Sequence, residues 1–229
     1  MIQNVFLDLD DTLLDFHMAE RAALTKTLLH FGLAPTEETL LQYGELNRAQ
    51  WRLLERRSIT REELKVRRYR LLFDALGVDC SAEEAAACYE NFLSIGHYFI
   101  NGAEALLENL VQSYRLYLAS NGFIGIQTGR LNSAGIAKYF SKIFISQQIG
   151  FDKPAREFFD ACFLQIPNFK KEETVIVGDS LTSDVLGGKN AGIATVWFNP
   201  NACGNATDIV ADYEIRALSE LPALLSRIR

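Results

Sequence analysis

Five short apolar runs, alternating with stretches of helical periodicity, govern what this chain can fold into. The runs are 2–8 (IQNVFLD), 114–119 (YRLYLA), 142–146 (KIFIS), 174–178 (TVIVG) and 193–198 (IATVWF). Apolar residues at helical spacing fill the intervals near 102–112, 126–137, 154–165 and 181–190. Strands alternating with helices of this length predict an α/β fold built on a parallel sheet covered on both faces. Several of the runs lack polar alternation, as strands buried on both faces should.

The stretch from about 17 to 98 breaks this rhythm. It is rich in Leu, Ala, Glu and Arg, with apolar residues at helical spacing and no strand-like run. Leu24, Leu28 and Phe31 form one such set, Leu40, Tyr43 and Leu46 a second, and Leu64, Tyr69, Leu72 and Phe73 a third. Thr60 and Glu63 have the spacing of a capping box. The expectation is a helical insertion of about four helices over 17–98, interrupting a core made of 1–16 and 99–229.

A chain of 229 residues suits that arrangement of one core with a smaller inserted domain. The net charge of −6 argues against a nucleic-acid backbone as the main partner, since that needs a basic face. A small phosphorylated metabolite stays open, because a bound cation can reverse the local field. No signal peptide or membrane-length apolar stretch is visible. Cysteines 80, 88, 162 and 203 have no metal-type spacing and read as reduced thiols of a cytoplasmic protein.

Reactive side chains gather where predicted strands end, the edge at which open α/β sheets bind ligands. Asp8 and Asp10 lie two residues apart just past the first strand, where an extended chain aims them to one side. Such a pair can divide the work of nucleophile and general acid, or merely form an acidic turn before a helix, as Asp15 does. Ser120-Asn121-Gly122 ends the second strand in small polar residues whose amides can meet an anion. Lys153, ahead of Pro154 at a helix start, supplies a cation. Gly178-Asp179-Ser180, with Asp184 about one turn later, follows the fourth strand. Acids at that spacing can hold a hard cation through oxygen. The histidines, 17, 30 and 97, lie away from these segments, so no Ser-His-Asp triad is supported.

Taken in order, these segments resemble the motifs of the haloacid dehalogenase superfamily across nearly the whole chain. Asp8-Leu9-Asp10-Asp11-Thr12 is similar to its Asp-x-Asp-x-Thr motif, Ser120 to the second motif, Lys153 to the third, and Gly178 through Asp184 to the fourth. The resemblance implies a Rossmann-like core with a helical cap, and a phosphatase working through an aspartyl-phosphate. Asp8 would be the nucleophile, Asp10 the acid and then the base, and Ser120, the amides near Asn121 and Lys153 the phosphate seat. Magnesium, or manganese in its place, would be held by Asp8, the main-chain carbonyl of Asp10, and Asp179, with Asp184 in support. Leu13 to Phe16 would be the flexible exit that couples cap closure to chemistry.

Residues 120–154, with Asn121-Gly122-Phe123 and Gln127-x-x-Arg130, and more loosely 46–73, resemble a subgroup, the pyrimidine 5′-nucleotidases linked to clearing non-canonical nucleotides. Ser120 stands where that subgroup commonly has Thr, and the hydroxyl is kept. A nucleoside monophosphate substrate follows, with Asn47, Trp51 and Arg67 as candidate contacts to it. An indole can stack on a base and an amide can read its edge, although packing or solvation explains these three residues equally well. Sugar phosphates or phosphoglycolate are alternative substrates. Asp10 argues against a dehalogenase, and a full set of motif residues argues against a non-catalytic binding protein.

Overall fold

A computed structural model describes residues 1–56 and 58–228 of the chain. The elements, in order, are β1 (Asn4–Leu7), α1 (Phe16–His30), α2 (Glu37–Glu55), α3 (Arg61–Leu76), α4 (Ala82–Ser94), α5 (Ala103–Leu110), β2 (Arg115–Ser120) and α6 (Ile124–Ala134). There follow β3 (Lys142–Ile145), α7 (Ser146–Ile149), α8 (Arg156–Phe163), β4 (Thr174–Gly178), α9 (Leu186–Ala191), β5 (Ala194–Phe198), β6 (Tyr213–Ile215) and α10 (Leu221–Leu225). Two compact units emerge: Met1–Phe16 with His97–Arg229, and His17–Gly96.

The first unit holds one parallel sheet of six strands in the order β3-β2-β1-β4-β5-β6. The parallel α/β core expected from the sequence is therefore present. Alternate strand residues face opposite sides. Val5, Leu7, Leu116, Leu118, Val175 and Val177 join one apolar cluster, while Phe6, Tyr117, Ala119 and Ile176 join the other. Burial on both faces explains why these strands read as unbroken apolar runs.

A sixth strand, β6, leaves no signal in the sequence. Its three residues include Glu214, and only Ile215 is buried, so no periodic signal marks it. Helix α6 ends three residues short of the expected 137, at Ala134, because Gly135 takes a left-handed conformation (φ 68°) that closes the helix. The interval 181–190 opens as a π-helical turn, Leu181–Val185, before α9. The four cysteines are all free. Among the described residues no helix is long and apolar enough to cross a membrane.

The second unit contains α2, α3, α4 and all of α1 after Phe16. The capping box is formed: Thr60 Oγ1 accepts the Glu63 N–H at 3.1 Å, and Glu63 accepts the Thr60 N–H at 2.7 Å. Inside this unit the rings of Tyr43, Tyr69 and Tyr89 pack 5.4 to 5.8 Å apart. The Arg68 guanidinium lies 4.8 Å from the Tyr89 ring and donates to Asn47 Oδ1 at 3.0 Å. Asn47 Nδ2 in turn donates to Glu20 Oε1 at 2.6 Å. One polar relay thus joins α1, α2 and α3.

Phe6 is fully buried, stacked on Tyr117 at 5.1 Å and Phe144 at 6.0 Å, with Phe163 edge-on at 5.9 Å. Truncation there opens a cavity in the middle of the sheet. Phe6→Ala should lower unfolding stability by about 3–5 kcal/mol in urea titration. A loss of less than about 1 kcal/mol would mean that the sheet face can collapse around the gap.

Candidate active site

Strands β1 and β4 are neighbours where the strand order reverses, so the residues just past Leu7 and Gly178 share one crevice. Asp8 is the first residue beyond β1. Its N–H donates to the Val177 carbonyl at 3.0 Å, carrying the ladder one residue past the strand and burying the carboxylate. The chain then turns back: the N–H groups of Leu13 and Leu14 both return to the Leu9 carbonyl, at 3.0 and 2.9 Å. Asp11 takes φ 56°, a left-handed conformation that Asp tolerates, and its Oδ1 accepts the Phe16 N–H at the start of α1. Asp15 pairs its own N–H with the Tyr98 carbonyl at 2.7 Å.

Thr12 ties this loop to the one after β4. Its hydroxyl accepts the Asp179 N–H at 3.1 Å and donates to Asp179 Oδ1 at 3.4 Å. Trp197, on β5, donates its indole N–H to the Asp179 carbonyl at 2.8 Å. That residue had no sequence signal, since a Trp in an apolar run reads as core. The π-helical turn swings Asp184 back over the strand end, where a Cβ on Gly178 would lie 2.2 Å from its Cγ. Only glycine permits that approach.

Lys153 stands at the centre, 2% exposed. Its ammonium donates to Asp8 Oδ1 at 2.7 Å, Asp184 Oδ1 at 2.6 Å and the Ala119 carbonyl at 2.6 Å. Asn121 docks the backbone of Lys153 at two points: Oδ1 accepts its N–H at 2.8 Å, and Nδ2 donates to its carbonyl at 2.7 Å. Ser120, at the end of β2, accepts from Gln127 Nε2 at 2.7 Å. The same nitrogen donates to Asp10 Oδ2 at 2.7 Å, so Ser120 and Asp10 meet across one side chain. In the sequence Gln127 and Arg130 stand only as the pattern Gln127-x-x-Arg130, which by itself implies no task.

Carboxylate oxygens of Asp8, Asp179 and Asp184 lie within 4.8 Å of one another, with the Lys153 ammonium against two of them. Burial, opposed by Lys153 and reinforced by Asp184 and Asp10, pushes Asp8 up to about 8. Burial, then the charges of Asp184 and Asp8, raise Asp179 as well. For Lys153 burial works the other way, but Asp184 and Asp8 outweigh it and hold the ammonium charged. The surplus is negative, and its donors are hard oxygens. That is the donor set of a hard divalent cation such as magnesium. Asp184 has both oxygens engaged, by Lys153 and by the Ser180 N–H at 3.1 Å, which suits it to a supporting place.

The three remaining candidates belong to the second unit. Asn47 is buried, and both ends of its amide already have partners in Glu20 and Arg68. Trp51 is half-buried and Arg67 is exposed, beside a surface groove lined by Glu62, Val66, Arg70 and Asp74.

Residues 2–192 match the family model of the haloacid dehalogenase-like hydrolases, and the chain belongs to that family. Pyrimidine 5′-nucleotidase PynA of Streptococcus pneumoniae is 39% identical over 95% of this chain and 92% of its own. Pyrimidine 5′-nucleotidase YjjG of Escherichia coli is 29% identical over 97% of each. The crystal structure of the HAD-hydrolase YfnB of Bacillus subtilis, bound to magnesium, superposes with a TM-score of 0.92 at 38% identity over 98% of both chains.

Removing Lys153 would leave two buried carboxylates without their common partner. Lys153→Met should therefore destabilise the protein by about 3–5 kcal/mol in urea unfolding at neutral pH. A change within about 0.5 kcal/mol would show that the carboxylates do not depend on it.

Proposed function

We propose that the protein is a magnesium-dependent phosphomonoesterase working through an aspartyl-phosphate on Asp8, with pyrimidine nucleoside 5′-monophosphates as substrates. The observation that carries this reading is Asp8 itself, a buried carboxylate at the crevice where two central strands end, held against Lys153 beside two further acids. The names of the PynA and YjjG relatives support the substrate class.

In the first step an Asp8 carboxylate oxygen attacks phosphorus and the bond from phosphorus to the ester oxygen breaks. Asp10, two residues on, gives its proton to that departing oxygen, so the alcohol leaves neutral. In the second step Asp10 takes a proton from the water that attacks the acyl phosphate, freeing Asp8 and inorganic phosphate. Lys153, with its donors turned to Asp8, Asp184 and Ala119, acts through its charge on the incoming phosphate. Ser120 accepts its hydrogen bond from Gln127, which leaves its own O–H to donate to a phosphate oxygen. Asp8, the Asp10 carbonyl and Asp179 would hold magnesium, with Asp184 in support; when bound, the ion neutralises charge on the transferring group.

We assign substrate selection to the helical unit His17–Gly96. Trp51, a half-buried indole in that unit, is the candidate for stacking on a base.

Magnesium added to chelator-treated protein should raise the melting temperature and restore phosphate release, and Asp179→Asn should lose both responses. Turnover that persists in excess chelator would exclude the metal-dependent mechanism. Asp8→Asn should abolish turnover, whereas Asp10→Asn should slow esters of poor leaving groups about 10²–10⁴-fold and p-nitrophenyl phosphate less, through the second step alone. Faster release from purine nucleotides or sugar phosphates than from UMP, dUMP and dTMP would leave the phosphatase and remove the pyrimidine assignment. Trp51→Ala should raise KM for UMP about tenfold more than for p-nitrophenyl phosphate.

A further inference from the structure

Asp10 does not hang free in the crevice. Two side chains of α6, one turn apart, grip it at both oxygens: Gln127 Nε2 donates to Oδ2 at 2.7 Å, and Arg130 Nη1 donates to Oδ1 in an ion pair. Arg130 also donates to Gln127 Oε1 at 3.2 Å, so the two grips brace each other. The Arg130 guanidinium is fully buried and lies 5.7 Å from the Phe16 ring. The Asp10 side chain stays 30% exposed. A guanidinium so enclosed depends on its carboxylate partner, because an uncompensated buried charge is costly. Space for Gln127 is provided upstream: a Cβ on Gly122 would fall 2.5 Å from Gln127 Cγ and 2.8 Å from its Nε2.

We propose that Gln127 and Arg130 are positioning residues, which fix the Asp10 carboxyl for proton transfer to the leaving oxygen and, through Gln127, aim the Ser120 hydroxyl at the phosphate. The proposal rests on the phosphatase reading of this site. Each carboxylate oxygen offers two lone-pair positions, so a carboxyl held at both oxygens can still carry and deliver a proton. The grip removes the rotational freedom of an acid whose efficiency depends on geometry, and it does so from a helix rather than a loop. Gln127 couples the two halves of the chemistry, since one nitrogen orders both the proton donor and the phosphate seat.

The experiment compares UMP, a poor leaving group, with p-nitrophenyl phosphate, a good one, in Arg130→Met, Arg130→Lys and Gly122→Ala. Measurable release by the wild-type protein comes first; its absence on both substrates defeats the phosphatase reading itself. Given that activity, Arg130→Met should lower kcat for UMP about 10–100-fold and for p-nitrophenyl phosphate several-fold less, since both esters share the second step. In an Asp10→Asn background the same change should add less than about twofold, the non-additivity expected of a residue acting through another. Arg130→Lys, which keeps one cationic donor, should recover part of the UMP rate. Gly122→Ala displaces Gln127 without deleting a polar atom, and it carries the test if Arg130→Met does not fold. It should cost at least about fivefold more on UMP than on p-nitrophenyl phosphate. Additivity with Asp10→Asn or an undiminished UMP rate in the folded variants would overturn the proposal.

Discussion

Three hydrogen-bond donors are all that an ammonium has, and the buried Lys153 gives one each to Asp8, Asp184 and the Ala119 carbonyl. That single group joins the ends of three neighbouring strands, since Asp8 follows β1, Ala119 lies in β2 and Asp184 is carried past β4. Without a cation there, two carboxylates would sit close together in a dry place with nothing to offset them. The rest of the site is arranged so that the lysine can reach. Asn121 pins its backbone from the end of β2, and Gly178 leaves room for Asp184.

The strand order makes such a centre possible. Because β1 lies between β2 and β4, segments distant in the chain end side by side, and loops that leave the sheet on either side of the reversal open a crevice there. Burial on both faces keeps the strands rigid beneath it. The positions of Asp8 and Asp179 are then set by bonds to their backbone: the Asp8 N–H to the Val177 carbonyl, the Asp179 N–H to the Thr12 hydroxyl, and the Trp197 indole N–H to the Asp179 carbonyl. Precision of this kind suits phosphoryl transfer, in which positioning and charge neutralisation do most of the catalytic work.

How much of this was legible in the sequence follows from the kind of signal each part leaves. The five main strands and the four helices of the insertion were legible because burial and amphipathic packing impose periodicity. The short edge strand β6, with one buried residue, leaves none. Asp8 and Asp179 could be picked out as acids at strand ends, Asp184 as an acid one turn further on, and Lys153 as a cation ahead of a helix start. Their convergence rests on the sheet order, which periodicity does not encode. At Asn47 the sequence is silent, because an amide on a helix carries no mark of its partners; only the fold shows Glu20 and Arg68 on either side of it. Trp197 was hidden for the opposite reason, as its apolar bulk in a strand masked the one polar atom that matters.

Glycine marks the two closest approaches in the site, and each shows how a residue without a side chain can decide the place of another. At Gly178 the missing Cβ admits the Asp184 carboxylate, which meets the lysine. At Gly122 it admits Gln127, which meets both Asp10 and Ser120. The consequences of filling these two spaces differ in kind. A methyl at Gly178 would press on a buried carboxylate bonded to Lys153 and to the Ser180 N–H, so the network itself would have to shift. At Gly122 the methyl would meet Gln127 from Cγ to Nε2, and to clear it the side chain would have to give up its bonds to Asp10 and Ser120. Filling the first space acts on a carboxylate directly, whereas filling the second acts on Asp10 through the side chain that holds it.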